Sequence, residues 1–165
     1  MSLRSIIDAH LSIAQSTGKI AKLYKHKVWN VDEAQMRSLF VDSTNGRIDV
    51  CFISPEAVPA NDLGPNNNYR LPSIVLYWYR SMSRAADDSQ NTEDGFLDDM
   101  EAVKDAFDAN RRLTTGAAPN QVHNAAWSTA METRKVDYVM FQGALCHYAE
   151  LVHTVKDGPR STTSS

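Results

Sequence analysis

Cysteine and glycine are both scarce in this sequence, and their scarcity excludes several classes of protein. The chain of 165 residues has two cysteines, Cys51 and Cys146, and seven glycines. Two cysteines are too few for the disulfide framework of a small secreted domain, and they lack the paired spacing of a structural zinc site. The few glycines leave little room for a phosphate-binding loop, and neither the dinucleotide nor the P-loop pattern occurs.

Long apolar runs and a large excess of one charge are also missing. No stretch reaches the roughly 18 apolar residues of a membrane-spanning helix, and Asp8 and His10 interrupt the amino-terminal segment. We therefore expect neither a membrane span nor a signal peptide. The formal net charge of −3 gives no support to a general nucleic-acid-binding surface. The composition, 42% hydrophobic and 22% charged, predicts one globular domain over residues 1–157 and a disordered tail over residues 158–165.

Two segments have the apolar periodicity of amphipathic helices. Residues 2–17 place apolar side chains three and four positions apart, and Gly18 follows where a left-handed residue ends a helix. A second helix is predicted over residues 96–112, with Asp98 and Asp99 in its first turn, where the helix dipole favours acids. The buried stripe of this helix consists of Phe96, Met100, Val103 and Phe107.

Alternating apolar residues predict strands in two further segments. Residues 38–54 are typical of a β-hairpin with a tight turn at Asn45 and Gly46, and the proline that follows is expected to end its second arm. Residues 72–80 are apolar on both faces, which predicts a central strand covered on both sides. Residues 55–70, with three prolines and four asparagines, are predicted to form a long surface loop.

The remaining segments allow more than one interpretation. Residues 19–29 fit a strand or a turn, and residues 30–36 fit a short helix. Residues 127–155 are predicted to form two strands with a bend at Gly143, although a helix over residues 144–155 also fits the pattern. One apolar face of these strands would hold Val139, Phe141, Leu145, Ala149, Leu151 and Val155. The order of elements predicts an α/β (α+β) fold, a small mixed β-sheet with helices packed on it.

The sequence contains no constellation of catalytic or metal-binding residues. The five histidines include no pair at the i, i+4 spacing of a zinc-binding helix, and no serine lies in a nucleophile-elbow motif. Residues 90–101 align with a twelve-residue calcium-binding loop and match its second half. In the first half, however, Gln90 and Thr92 occupy the positions of the first two ligands, which are normally carboxylates. The sequence therefore predicts no catalytic residue, no metal and no cofactor, and it favours a protein that is not an enzyme.

The placement of charge along the chain is more informative than the total. Residues 1–30 carry a net charge of +4, and residues 84–110 carry a net charge of −7. Either both segments are solvated faces, or the basic segment of one subunit binds the acidic segment of its neighbour in a head-to-tail contact. The candidate contact residues are Lys19, Lys22, Lys25, Lys27, Asp87, Asp88, Glu93 and Asp94.

The element order resembles that of the tail-terminator (tail-completion) proteins of long-tailed bacteriophages. The matching features are the opening helix that ends at Gly18, the central strand over residues 72–79, the helix over residues 96–112 and the strands over residues 136–155. The resemblance covers most of the chain and rests on element order and size, without a diagnostic motif. It implies a structural protein of the virion tail or neck that forms a hexameric ring and joins the tail tube to the head. A head-closure or neck protein of the same assemblies fits equally well.

This resemblance implies particular partners and a particular location. The partners would be further copies of the chain, the tail tube and the neck or connector proteins, with no membrane and no sequence-specific nucleic acid. A second hypothesis is a small ligand-binding or hydrolytic domain, with its site in the loops over residues 55–70 and 113–124. The absence of an acid–base or metal constellation favours the structural role.

Overall fold

The part of the chain that the structure describes contains three helices and nine strands. The computed structural model describes residues 2–27, 33–44, 46–57, 60–62, 68–70, 72–82, 89–113 and 126–157. The helices are α1 (Leu3–Ser16), α2 (Glu33–Phe40) and α3 (Ser89–Ala109). The strands are β1 (Lys22–Lys25), β2 (Asp49–Ala57), β3 (Ala60–Asp62), β4 (Asn68–Arg70), β5 (Ser73–Ser81), β6 (Arg112–Leu113), β7 (Ala126–Ser128), β8 (Glu132–Phe141) and β9 (Ala144–Asp157).

Five strands form the main sheet in the order β1, β2, β5, β9, β8. β1 lies parallel to β2, and the other neighbours are antiparallel. The far end of β9 leaves this sheet and pairs with β7 and β4, which belong to the short hairpins β6–β7 and β3–β4. The predicted class, a mixed sheet with helices packed on it in one domain, is confirmed. The predicted tail over residues 158–165 lies outside the described residues.

Strand β5 lies in the middle of the sheet, as its two apolar faces predict. Trp78 is opposite Cys51 on β2 and opposite Ala149 on β9. The side chains of Trp78 and Val75, which point to opposite faces of the sheet, are both 0% exposed. Both faces of β5 are therefore covered.

Helices α1 and α3 cover one face of the sheet and form the larger core with β2, β5 and β9. The hydroxyl of Ser2 accepts a hydrogen bond from the backbone N–H of Ser5 at 3.1 Å, and Gly18 has a φ of 64°, so both predicted ends of α1 are confirmed. The predicted apolar stripe of α3, from Phe96 to Phe107, is buried.

The predicted start of α3 was wrong. The helix begins at Ser89, so Asp98 and Asp99 lie in its third turn, and Arg112 belongs to β6 beyond its end. The first two turns carry polar side chains and lack an apolar stripe, so the periodicity of the sequence does not mark them.

Helix α2 covers part of the other face and replaces the first arm of the predicted hairpin. It runs beyond the predicted end at residue 36 to Phe40, whose buried ring packs 5.5 Å from that of Phe52. Only an isolated bridge between Val41 and Ile48 remains of the predicted arm. Burying Phe40 against the sheet outweighs the strand-like alternation of this segment. Gly46 has the expected positive φ of 69°, but the backbone N–H of Asp42 donates to the carbonyl of Arg47 at 2.7 Å, so the loop is longer than the predicted two-residue turn, and Asn45 lies outside the described residues.

Two further predictions for the middle of the chain were wrong. β2 continues past Pro55 to Ala57, and its register with β5 shifts between these two residues, which is how a strand accommodates a proline. The predicted loop over residues 55–70 contains the end of β2 together with β3 and β4, while residues 58–59 and 63–67 lie outside the described part of the chain.

Strands β8 and β9 form a hairpin, so the alternative of a helix over residues 144–155 was wrong. Gln142 and Gly143 have φ angles of 51° and 72°, as a tight two-residue turn requires. This turn places Phe141 directly opposite Ala144, so both lie on the face that α2 partly covers. Val139 and Phe141 therefore do not share a face with Ala149 and Leu151, as the sequence had predicted.

We expect Trp78→Ala to lower the free energy of unfolding by about 3–5 kcal/mol, because it empties a fully buried site between the sheet and α3. The control is Tyr77→Ala on the other face of the same strand, where the ring is partly exposed and the loss should be smaller. Urea denaturation measures both variants. A loss below about 1 kcal/mol for Trp78→Ala would contradict the central position of β5.

Candidate assembly surfaces

The four candidate lysines lie along β1 and its two flanking segments. Lys19 Nζ lies 2.9 Å from Asp99 Oδ1 of α3, and Lys25 pairs with Asp8 of α1. Lys27 places its Nζ 4.6 Å from the centre of the Tyr77 ring, and Lys22 lies on β1 itself. Two of the four lysines thus bind acids of their own chain, and the basic segment already meets the acidic segment through Lys19.

The candidate acids lie at the beginning of α3, except that Asp87 and Asp88 are outside the described residues. Glu93 is hydrogen-bonded to the hydroxyl of Tyr138 on β8 and raises the pKa of that phenol. Asp94 is exposed on α3. Among the described residues, neither acid is paired with any of the four lysines.

Parts of these two groups of charge lie at opposite edges of the main sheet. Lys22 and Lys25 lie on β1 and Glu93 lies beside β8, whereas Lys19 is held against α3 by Asp99. Four strand spacings of about 4.8 Å separate the two edges, which is roughly 19 Å. Each molecule therefore presents a basic edge and, on the far side, an edge with an acid beside it.

Strand β8 and the start of β9 carry an exposed apolar surface, the β8 patch, formed by Val136, Tyr138 and Met140 of β8 and Leu145 of β9. Their exposed fractions are 48%, 46%, 69% and 47%. Register places all four on the helix-covered face, because Val136 is opposite the buried Ala149, Tyr138 is opposite His147, and Met140 is opposite Leu145. α3 packs over β5 and β9 and leaves these side chains accessible. The alternation of residues 136, 138 and 140 was a signal for this surface that the sequence prediction missed.

A buried histidine lies directly beside the β8 patch. His147 is 2% exposed, and its ring centre lies 5.4 Å from the rings of both Phe96 and Tyr138. Its Nε2 has no hydrogen-bond partner within the described part of the chain. Burial lowers its pKa, and the nearby Glu93 partly opposes this effect.

The outer edge of β8 is protected against further strand pairing. Asp137 Oδ1 accepts the backbone N–H of Tyr138 at 2.8 Å, and the pairing with β9 is irregular between Thr133 and Lys135. Arg134 in this irregular stretch is paired with Glu150. Bulges and charged side chains of this kind prevent edge-to-edge association of sheets. The exposed β8 patch thus lies beside a strand edge that is closed to another strand.

An arginine network fixes the position of α3 relative to the sheet. Arg80 of β5 donates to Asp49 at 3.2 Å, to Asp99 at 2.8 Å and to the backbone carbonyl of Lys19 at 2.7 Å. Trp78 donates its Nε1–H to the same Asp49 at 2.8 Å. Burial raises the pKa of Asp49, whereas the bonds from Lys19 and Arg80 outweigh desolvation and lower the pKa of Asp99.

This network lines a polar cleft of about 250 Å³, to which Arg47, Ser81, Thr92 and Gly95 also contribute. Arg80 and its two carboxylates satisfy each other, so the cleft offers few groups that could hold a substrate. The described residues include no cluster of three metal-ligating side chains. Burial raises the pKa of the Cys51 thiol and raises that of Cys146 to about 11, which leaves both thiols unreactive.

Comparison with models of known protein families finds no match, and comparison with curated protein sequences finds no relative. No helix among the described residues is long and apolar enough to cross a membrane.

We expect Arg80→Met to lower the free energy of unfolding by about 3 kcal/mol at neutral pH, because it leaves the partly buried Asp49 without its cation and leaves Asp99 with Lys19 alone. Asp99 has a lowered pKa in the folded protein, so its contribution is present above about pH 4 and is lost as the pH falls. The difference between the variant and the wild type should therefore shrink in acid. Urea titrations at neutral and acidic pH measure it.

The control for this experiment adds Asp49→Asn and Asp99→Asn to Arg80→Met. Removing the uncompensated charges should recover part of the lost stability at neutral pH. Equal stabilities of Arg80→Met and the wild type would show that the network does not hold α3 in place.

Proposed function

We propose that this chain is a structural ring protein at the head-proximal end of a bacteriophage tail, acting as a tail terminator or neck protein that joins the tail tube to the head. The observation that carries the proposal is the accessible β8 patch at one edge of the sheet, opposite the lysines at the other edge. The element order supports it, because it resembles that of tail-terminator proteins.

Two unlike edges favour a head-to-tail contact between copies. A two-fold dimer joins one surface to its own copy, whereas a ring joins two different surfaces around a closed rotation. The basic edge at β1 would meet the β8 patch and the start of α3 on the next copy, where Glu93 and Asp94 lie. Each copy then uses both edges, and the chain of contacts closes into a ring.

The apolar and charged groups have different roles in this contact. Single exposed ion pairs contribute only about 0–1 kcal/mol, so the β8 patch must supply most of the affinity. The charges set the register of the contact and the choice of partner. Lys22 is the best placed of the four lysines, because Lys19 and Lys25 bind acids of their own chain and Lys27 lies over Tyr77.

The structure offers less support for the alternative of a ligand-binding or hydrolytic domain. β3 and β4 occupy part of the segment over residues 55–70, and residues 114–124 lie outside the described part of the chain. Neither the described histidines nor the two cysteines form a nucleophile–base pair. No specific observation favours this second function.

We expect the wild-type protein to assemble to roughly six times its monomer mass of 18.4 kDa, and Met140→Lys to weaken that assembly. Met140 is the most exposed member of the β8 patch, so the change removes contact area at an exposed site and should alter the free energy of unfolding by less than about 0.5 kcal/mol. Sedimentation velocity gives the mass, and negative-stain electron microscopy shows whether rings form. A wild-type protein that stays monomeric at high concentration would contradict the proposal.

Charge reversal tests how the copies are oriented. We expect Lys22→Glu to weaken assembly at low salt, and Asp94→Lys in the same chain to restore part of it, because the two positions would face each other across the contact. The control is Lys156→Glu, an equal charge change at an exposed position near the end of β9. High salt should reduce both effects, since the screening length falls to about 3 Å at 1 M. If Lys22→Glu and Lys156→Glu had the same effect, the lysines would be a solvated face only.

A further inference from the structure

Two histidines that are far apart in sequence meet in the core between α1 and β9. His10 Nε2 lies 2.8 Å from His153 Nδ1, and both side chains are 0% exposed. The other nitrogen of each ring contacts a backbone carbonyl, His10 Nδ1 that of Ile6 at 2.8 Å and His153 Nε2 that of Thr129 at 2.9 Å. Three short polar contacts thus run in series from one carbonyl oxygen to the other.

The number of protons in this series decides which contacts can be hydrogen bonds. A carbonyl oxygen only accepts, so His10 Nδ1 and His153 Nε2 must both carry a proton to satisfy Ile6 and Thr129. Two neutral imidazoles carry two protons in total, and both are then used at the ends. His10 Nε2 and His153 Nδ1 would face each other at 2.8 Å with two lone pairs and no proton between them. A third proton converts this repulsive contact into a hydrogen bond.

We propose that His10 and His153 form a buried proton-binding site that takes one proton between Nε2 of His10 and Nδ1 of His153. The occupied site is an imidazole–imidazolium pair in which every ring nitrogen donates or accepts one hydrogen bond. The ligand is a proton from solvent, and no bond between heavy atoms changes. The proposal does not depend on the assembly of the chain.

The surroundings limit the site to a single proton. Burial lowers the pKa of His10 to about 3, with a charge on His153 acting in the same direction, so the two rings do not both become cationic. Burial also lowers the pKa of His153, and Arg111 acts in the same direction, while the hydrogen bond to Thr129 and the charge of Asp108 near the end of α3 oppose this effect. Helix α1 also carries Arg4 and Asp8, and Asp8 is paired with Lys25. The Phe107 ring lies 5.3 Å from each imidazole.

Occupancy of the site would couple proton binding to the attachment of α1. His10 lies on α1, His153 lies on β9, and Thr129 belongs to the segment between β7 and β8. With the proton bound, one continuous chain of hydrogen bonds joins these three parts. Without it, the central contact is repulsive or one of the carbonyls loses its donor.

The test is a titration of the histidine rings of the ¹⁵N-labelled full chain by NMR, from about pH 8 to about pH 5, the range in which histidine changes charge. We expect His10 Nδ1 and His153 Nε2 to carry a proton throughout. The two facing nitrogens should change together with one common midpoint, for a total uptake of one proton. Separate midpoints, an uptake of two protons, no uptake before acid unfolding or the opposite tautomer in either ring would each overturn the proposal.

His10→Gln provides a matched variant. The glutamine amide donates to His153 Nδ1 without any extra proton, so the variant should lose the one-proton uptake and His153 should stop titrating in this range. His26→Asn is the control, because His26 is exposed and has a φ of 66° that asparagine tolerates. The control should leave the common midpoint unchanged. If His10→Gln does not fold, the wild-type titration decides the proposal alone.

Discussion

Strand β5 has apolar side chains on both faces and a hydrogen-bonded neighbour along each edge, and the rest of the structure depends on this strand. Because neither face can meet water without a large cost, elements must pack above and below it. α1 and α3 cover the face that carries Trp78, and α2 closes part of the other face through Phe40. With β2 and β9 beside β5, the described strands of the main sheet end at β1 on one side and at β8 on the other, and the candidate assembly surfaces lie at these two edges.

Features with a strong local pattern could be predicted from the sequence. α1, the buried stripe of α3 and the central strand each repeat apolar residues at a regular spacing over a long segment. In the fold, these apolar residues are the ones that pack into the core. The glycines also indicated turns correctly, since Gly18, Gly46 and Gly143 all have positive φ angles. These signals depend on neighbouring residues alone, so one sequence is enough to read them.

Features that depend on distant residues could not be predicted in this way. The segment before Asn45 alternates like a strand, yet the burial of Phe40 against Phe52 makes it a helix. The faces of β8 and β9 follow from the two-residue turn at Gln142 and Gly143, since one extra residue there would exchange them. The contact between Lys19 and Asp99 joins the two segments of opposite charge within one molecule, whereas the sequence had indicated either two solvated faces or a contact between copies.

The contact between Lys19 and Asp99 limits the part that the separated charges can play in assembly. Lys19 and Asp99, with Arg80, help to hold α3 against the sheet, so part of the charge asymmetry stabilises the fold of each single copy. The groups left for a partner are Lys22 at one edge and Asp94 near the other, which is a small electrostatic contribution. The β8 patch is larger, and only Tyr138 among its four residues has an internal partner in the described structure, Glu93 of α3, so most of its apolar surface stays accessible. Asp137 and the bulge close the edge of β8 to other strands, so the apolar face beside that edge is suited to docking against a folded partner. Hydrophobic contact is therefore the physical basis of the proposed ring, and charge sets only the register of that contact.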